Sequence, residues 1–393
     1  MKGARIALLI GVLTATLWQA RPHLRTITTS FPGYWLVARE VMSGTPTVQL
    51  YDTDYLIPRL ESHGFPGDRM IGPPTLALTA IPVSGLDYPA ARTAWLLGVL
   101  TPALAVSLVM LFAPSGWGGA GLAIAFALSR PVEANMAVGQ IYPLMLALHC
   151  IGLLGWRRAQ PAIGGAGLAV MILARGWYGL LQAFGWLVAG RPMGLIWTGG
   201  LTAGLGLMSV LVLGAEAWGH FLFVQVPQER FEETALVLAY QTWRSLALHL
   251  TTFHPALSPN PPLVGLGPWL WGVGAVGIAS ASAWAGRRLR PGYDRGGVGF
   301  AMWTCASLLL SPAAEDYHMV LTALPIAVLW PTGRRAQITI LLALPLLLVD
   351  WGFDRPTLLG GWRSLLAYPR LYGVGLLWLA ALDVARTLPQ KET

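Results

Sequence analysis

Charged side chains are scarce in this sequence. Asp, Glu, Lys and Arg make up 11% of the 393 residues, whereas soluble domains carry about 25%. Hydrophobic residues make up 55% and include 18 tryptophans. This scarcity of charge excludes the two or three soluble domains that the length alone would allow. It predicts one all-α integral membrane domain over residues 1–393.

Cysteine and the common ligand-binding motifs are also rare. The two cysteines, Cys150 and Cys305, both lie in apolar runs, so we expect no disulfide. The sequence holds no Cys/His cluster with zinc spacing, no P-loop and no Gly-x-Gly-x-x-Gly segment after a strand. These absences exclude the usual zinc and nucleotide sites.

Apolar runs of spanning length recur along the chain and predict about 12 transmembrane helices. The first run follows Lys2 and Arg5 and ends in LWQA, a poor cleavage site, so we favour an uncleaved helix over a secretory signal. Residues 71–86 are apolar but contain three prolines (IGPPTLALTAIPVSGL), which favours a re-entrant or interfacial segment. The predicted spans are 4–20, 92–113, 118–132, 137–155, 161–175, 177–190, 194–214, 263–285, 297–311, 317–331, 336–350 and 369–386.

The positions of the charges predict the orientation. Basic residues cluster in alternate short loops, which the positive-inside rule assigns to the cytoplasm together with both termini. We therefore interpret the net charge of +8 as a topology signal rather than as a nucleic-acid surface. Loops 21–91 and 215–262 then lie outside, with all acidic residues except Asp294, Asp383 and Glu392. The predicted cytoplasmic residues are Arg157, Arg158, Arg191, Arg287, Arg288, Arg290, Arg334, Arg335, Arg386 and Lys391.

This one-sided distribution of polar residues predicts a single extracytoplasmic site. A transporter needs access from both faces and commonly contains an internal repeat, and we find none. Residues Phe31–Asp52 in the first outer loop predict an amphipathic helix lying on the membrane surface. In this helix Tyr34, Val37, Ala38 and Val41 share one face, and residues 44–46 (Gly-Thr-Pro) end it.

Five segments in order resemble glycosyltransferase family 87. The stretch SFPGYWLVAREVMSG followed by QLYD resembles the first-loop motif of that family. The others are GPPTLALTAIPVS (72–84), VGQIYPLMLAL (138–148), QTWRSLALHL (241–250) and SPAAEDYHMVLTALP (311–325). The resemblance covers most of residues 25–330. It implies a GT-C-like bundle in the cell membrane that uses a polyprenyl-phosphate sugar, typically mannose, as co-substrate, with no metal and no other cofactor.

The resemblance also implies a general base at the start of the first-loop motif, where the family has Asp and this chain has Ser30. A serine hydroxyl does not ionise near neutral pH, so we expect another carboxylate to act. The catalytic candidates are Asp316 and Glu133, at the outer ends of helices, with Ser30 at the family position. Glu315, Asp52 and Asp54 are further carboxylates. The simpler interpretations are a helix cap for Asp316, a solvated acid for Glu133 and turn formation for Asp52 and Asp54.

The donor phosphate needs cations, and Arg175, Arg244 and His318 are the candidates. Arginine suits phosphate because its planar donors match the phosphate oxygens. Arg175 could instead snorkel from a helix end, and Arg244 and His318 could anchor or pack at the interface. Candidates for sugar or acceptor contacts are Tyr34, Gln140 and Asp52.

Two classes of function remain open. The first is a glycosyltransferase that acts on a glycan or glycolipid acceptor at the extracytoplasmic face, with the lipid bilayer and the donor as partners and no nucleic acid. The second is a protein without transferase activity, either a catalytically impaired scaffold or a lipid-linked glycan transporter. Ser30 favours the scaffold, whereas the small number of polar residues within the helices disfavours the transporter.

Overall fold

The computed structural model of the chain describes residues 2–67, 72–227, 236–289, 294, 296–352 and 355–387. These residues form helices joined by short turns, and no strand is found among them. The helices of the amino-terminal half are α1 (Lys2–Ala20), α2 (Ser30–Met42), α3 (Thr53–Ser62), α4 (Ile81–Ser84), α5 (Tyr88–Thr93), α6 (Thr101–Phe112), α7 (Gly116–Ala127), α8 (Arg130–Val138), α9 (Tyr142–Arg158) and α10 (Pro161–Arg175). The remaining helices are α11 (Trp177–Val188), α12 (Pro192–Leu213), α13 (Ala215–His220), α14 (Trp243–Thr251), α15 (Gly267–Arg288), α16 (Val298–Leu309), α17 (Ala323–Leu329), α18 (Arg334–Leu348) and α19 (Pro369–Thr387).

Short helical turns of other types connect several of these helices. A π-helix (Ala94–Leu100) joins α5 to α6, and a 3-10 turn (Ala113–Ser115) joins α6 to α7. Tyr88–Ala127 therefore forms one helical run of 40 residues. A second π-helix is Phe221–Gln225. The 3-10 helices are Arg21–His23, Thr47–Tyr51, Pro74–Ala80, Ala113–Ser115, Asp316–Thr322, Trp330–Thr332, Pro356–Leu358 and Gly361–Ala367.

The helical class of the fold is confirmed, but the count of 12 spans is not. A helix occurs at each predicted span, yet only Tyr88–Ala127 and Pro192–Leu213 are long and apolar enough to cross a membrane among the described residues. Gly361–Ala367 and Pro369–Thr387, bent by 63°, add a third if they form one span. Several helices at predicted spans are too short to cross a membrane: the 12 residues of α16 extend about 18 Å. Residues 74–84 form a short apolar helix, in keeping with the prediction that they do not span.

The orientation of the chain stays a prediction. Of the residues that the positive-inside argument used, Arg290, Lys391 and Glu392 lie outside the described part of the chain. The loop 21–91, predicted to lie outside, contains α2, α3 and α4, and the predicted outer loop 215–262 contains α13 and α14.

Two short helices form the centre of the protein. Every residue of α16 and of α17 is buried. Helix α16 packs against α11, α17 and α19, and α17 also packs against α6. A helix that is apolar on all sides is expected in a core that other helices surround.

Helix α12 has the opposite pattern and lies at the periphery. Three of its four buried residues are small or polar, namely Gly194, Thr198 and Ser209, whereas Leu207 and Leu211 are exposed. Small residues allow close helix packing, and an apolar outer face suits a lipid environment. Together with the other apolar helices, this pattern indicates a membrane protein.

The predicted first-loop helix is present as α2 but is more enclosed than expected. Helix α2 ends at Met42, next to Gly44, which has φ 87° in the left-handed region. Its first half is buried on most sides because the rest of loop 21–91 folds over it. Trp35 packs against Phe65 and Tyr88. The position of α2 relative to the membrane surface stays a prediction. The buried residues of α2 are Phe31, Pro32, Tyr34, Trp35, Leu36, Val37 and Ala38.

The contact between α9 and α10 depends on glycine, and Gly155→Ala is expected to destabilise the protein by about 1–3 kcal/mol. A Cβ atom at Gly155 would lie 2.3 Å from the backbone nitrogen of Gly164, which cannot move aside as a flexible side chain would. The measurement is the midpoint of thermal unfolding in detergent. The control is Gly199→Ala on α12, where no atom lies within 4 Å of the new methyl group. A midpoint lowered equally in both variants, or in neither, would contradict this explanation.

Candidate functional site

Four predicted site residues meet in one chain of hydrogen bonds. Ser30 and Tyr34 lie one turn apart on the same face of α2. The Tyr34 hydroxyl donates to Gln140 Oε1 over 2.6 Å, and Gln140 Nε2 donates to Ser30 Oγ over 3.0 Å. Arg175 Nη2 donates to the Tyr34 hydroxyl over 3.0 Å and to Gln140 Oε1 over 3.4 Å. Residues 30, 34, 140 and 175, which we call the Arg175 cluster, therefore form one polar site.

The turn after α8 places Gln140 in this cluster. Helix α8 ends at Val138, and Gly139 adopts φ 73° in the left-handed region. A side chain at Gly139 would also clash, because its Cβ would lie 2.7 Å from Cβ of Phe31. The Gly139 carbonyl accepts a 2.9 Å hydrogen bond from Nε1 of Trp95. Glycine is thus required here both for the conformation and for the space, and the side chain of Gln140 is held buried toward α2.

Tyrosine hydroxyls and rings surround the guanidinium of Arg175. Arg175 is the last residue of α10, and the chain turns at Gly176 into α11. Its guanidinium lies 5.9 Å from the centroid of the Tyr142 ring. The residue is partly exposed, whereas its Nε atom is buried, so part of the side chain can be reached from outside the protein. Such a position suits contact with an anionic group that approaches from outside.

His318 joins this site through Tyr142. The hydroxyl of Tyr142 and His318 Nε2 are 2.5 Å apart, and the backbone N–H of Glu315 donates to His318 Nδ1 over 2.9 Å. Because Nδ1 accepts a hydrogen bond, the neutral ring carries its proton on Nε2 and donates it to Tyr142. The hydroxyl of Tyr317 donates to Glu315 Oε1 over 2.6 Å. This arrangement holds the carboxylate of Glu315 beside the predicted phosphate ligands.

The two predicted catalytic carboxylates, Glu133 and Asp316, belong to a separate ion-pair network. Arg130 Nη1 lies 2.7 Å from Glu133 Oε2, and Arg130 Nε lies 3.3 Å from Asp316 Oδ2. Arg370 Nε lies 2.8 Å from Asp316 Oδ1, and its side chain is fully buried. The network connects α8, the 3-10 helix at Asp316 and α19. These ion pairs favour a structural role for both carboxylates, and their assignment as general base stays a prediction.

The same network touches the first loop through His23, whose Nε2 lies 4.0 Å from Glu133 Oε1. Burial lowers the pKa of His23, and the charge of Glu133 opposes that shift while Arg92 and Arg130 reinforce it. His23 is therefore expected to be neutral near pH 7.

A comparison with known protein families identifies the family of the chain. The sequence model of glycosyltransferase family 87 matches residues 71–312, more than half of the chain. The chain belongs to glycosyltransferase family 87. No curated protein and no solved structure matches it.

The family 87 match covers only part of the site. Glu133, Gln140, Arg175 and Arg244 lie within the matched residues, whereas Ser30 precedes them and residues 315–318 follow them. The resemblance of the first-loop motif to family 87 therefore still rests on the motif itself. The structure connects the first-loop motif to the matched residues, because Gln140, which lies within the match, donates a hydrogen bond to Ser30.

Two other predicted site residues of this family 87 chain, Asp52 and Arg244, lie at the starts of α3 and α14. Asp52 is the N-cap of α3, where its Oδ1 accepts a 2.9 Å hydrogen bond from the backbone of Asp54. Arg244 lies in the first turn of α14, and burial lowers the pKa of its guanidinium. The backbone N–H of Gln241 donates to the Ala314 carbonyl over 2.7 Å, which places the start of α14 beside Glu315. Arg244 therefore remains a candidate ligand near the site.

The predicted site residues did not include Tyr142, Tyr317, Arg130 or Arg370. Tyr142 and Tyr317 lie within quoted motifs, so a search for paired aromatic residues near each candidate could have found them. Arg130 and Arg370 each lie at a helix start and carry no local signal of their distant carboxylate partners. In the described part of the chain, no group of three or more His, Cys, Asp or Glu side chains is arranged to hold a metal ion.

Proposed function

We propose that this family 87 protein transfers a hexose, with mannose as the first candidate, from a polyprenyl-phosphate donor to a lipid-linked or cell-envelope glycan. The reaction would take place at the extracytoplasmic face of the cell membrane. The observation that carries the proposal is the Arg175 cluster. Residues from the first loop, the Gly-Gln turn and the end of α10 converge there on the guanidinium of Arg175.

The chemistry of the transfer assigns a role to each part of the site. The acceptor hydroxyl attacks the anomeric carbon, the bond from that carbon to the phosphate oxygen breaks, and polyprenyl phosphate leaves with the electron pair. Arg175 would bind the phosphate and stabilise its growing charge. Gln140 and Tyr34 present amide and hydroxyl groups that can bind sugar hydroxyls.

The proton of the acceptor hydroxyl needs a carboxylate, and we propose Glu315. Glu315 lies beside the site, because its backbone N–H donates to His318 Nδ1 and His318 Nε2 lies 2.5 Å from the Tyr142 hydroxyl. It is partly exposed, and Tyr317 orients it through a 2.6 Å hydrogen bond. Arg130 pairs with both Glu133 and Asp316, and Arg370 pairs with Asp316, which favours a structural role for those two carboxylates.

Replacing Glu315 with Gln is therefore expected to lower sugar transfer about 100-fold to 10,000-fold. The amide keeps the size of the side chain and can still accept the hydrogen bond from Tyr317, so the fold should persist. The measurement is transfer of radiolabel from polyprenyl-phosphate mannose in membranes that contain the protein. Glu61→Gln on the exposed surface of α3 is the matched control and should transfer at the parent rate.

Two further outcomes distinguish an active transferase from a catalytically impaired scaffold. Ser30→Asp places a carboxylate at the first residue of α2, where Gln140 Nε2 can donate to it and the helix N-terminus favours negative charge. In the Glu315→Gln background this change should restore part of the transfer. A parent protein that transfers no sugar, with no gain in Ser30→Asp, would instead support the catalytically impaired scaffold.

A further inference from the structure

Helix α2 separates the Arg175 cluster from a second concave surface. Ser30 and Tyr34 face the cluster, whereas Trp35 and Arg39, also one turn apart, face an open groove of about 510 Å³. The groove lies between α2, the end of α3 and the start of α5. It is lined by Arg25, Ile27, Trp35, Arg39, His63, Phe65, Asp87, Tyr88 and Pro89. The transfer mechanism above assigns no role to it.

Aromatic rings form the floor of this groove. The rings of Phe65 and Tyr88 lie 4.5 Å apart, and Trp35 contacts both of them edge-on. Trp35 is fixed in place because its Nε1 donates to the Leu86 carbonyl over 3.1 Å. Trp35 and Phe65 are buried and support Tyr88, the partly exposed ring that the flat apolar face of a sugar or polyol ring can contact.

Two arginines lie at the mouth of the groove. Arg25 and Arg39 are exposed, and neither pairs with a carboxylate in the described part of the chain. Arg39 lies 4.7 Å above the Trp35 ring, which orients its guanidinium over the floor. The nearby Asp87 is engaged as the N-cap of α5, where it accepts a hydrogen bond from the backbone of Ala90. By contrast, Arg59 in the same loop pairs with Glu40 over 2.8 Å. The groove therefore favours an anion.

We propose that the groove binds a phosphate-bearing saccharide or polyol, which is the anionic end of the acceptor. The ring of the ligand lies against the partly exposed ring of Tyr88, and Arg25 and Arg39 bind the phosphate. The assignment of the ligand as acceptor rests on the proposed transferase function, whereas binding itself does not. The same chemistry is presented by a soluble sugar phosphate and by a phospholipid with a polyol headgroup, so both are tested.

The test measures binding to the full-length protein in detergent by titration calorimetry. The soluble probes are mannose 6-phosphate and uncharged methyl mannoside, and the lipid probes are phosphatidylinositol and phosphatidylcholine. The double variant Arg25→Gln/Arg39→Gln should weaken binding of the phosphate-bearing probe about 10-fold for each arginine. Arg363→Gln, an exposed arginine outside the groove, is the control and should bind as the parent does.

Arg175→Gln distinguishes the groove from the Arg175 cluster. Binding that persists in Arg175→Gln and is lost in the groove double variant supports the proposal, whether or not the protein transfers sugar. Binding that is lost only in Arg175→Gln would overturn it, because the anion would then bind at the cluster alone. Equal affinity for charged and uncharged probes, or no binding of either phosphate probe at millimolar concentration, would also overturn it. Tighter binding of mannose 6-phosphate would identify the ligand as a soluble sugar phosphate, and tighter binding of phosphatidylinositol would identify it as a phospholipid.

Discussion

Replacing Arg175 with Gln is expected to lower sugar transfer about 30-fold to 1000-fold while the protein keeps its fold. Removing a charged hydrogen-bond partner of a phosphate costs about 2–4 kcal/mol in the transition state. Gln can still donate one hydrogen bond toward Tyr34 or Gln140, so the Arg175 cluster should remain assembled. The measurement is transfer from radiolabelled polyprenyl-phosphate mannose, with thermal unfolding in detergent as the measure of folding.

Three companion variants make this result specific. Arg175→Lys keeps the charge but loses the planar pair of donors, and we expect transfer between those of the parent and Arg175→Gln. Arg158→Gln removes an exposed arginine from the last turn of α9, so it controls for the loss of a helix-terminal cation. Arg244→Gln tests the second candidate ligand. Parent-rate transfer in both Arg175→Gln and Arg244→Gln would place the phosphate site elsewhere.

Asp316→Asn is expected to destabilise the protein by about 3 kcal/mol. The substitution removes the negative charge that lies 2.8 Å from Nε of the fully buried Arg370. A buried cation that loses its anionic partner keeps the cost of desolvation without the compensating attraction. Arg370 also donates to the Leu346 carbonyl over 2.8 Å, so part of its environment persists. The measurement is the free energy of unfolding, or the thermal midpoint, in detergent.

Asp350 provides the matched control for this ion-pair network. Its carboxylate lies 3.9 Å from Arg130, and its side chain is 63% exposed. Asp350→Asn should therefore change stability by less than about 1 kcal/mol. The molecules of Asp316→Asn that remain folded should transfer sugar at the parent rate. A folded Asp316→Asn protein with no transfer would instead make Asp316 the general base, as the sequence analysis proposed.

The sequence by itself determined the helical class, the apolar segments and the family. Helical periodicity and helix ends are local properties, so α2, its stop near Gly44 and the helix ending at Arg175 could be predicted from short stretches. Apolar composition could not determine the number of spans, because α16 is apolar but has only 12 residues, all of which are buried among other helices. An apolar composition indicates that a segment is shielded from water, but it does not distinguish the lipid bilayer from the protein interior.

The tertiary structure decided which of the predicted residues act together. Ser30 and Gln140 are 110 residues apart, and Arg130 and Asp316 are 186 residues apart, so no local pattern indicates either pair. Packing placed Gln140 and Arg175 beside α2, whereas it joined Glu133 and Asp316 through Arg130. The physical reason is that a side chain's role depends on the charges and donors within a few ångströms. Those neighbours come from distant segments that only the packed fold brings together.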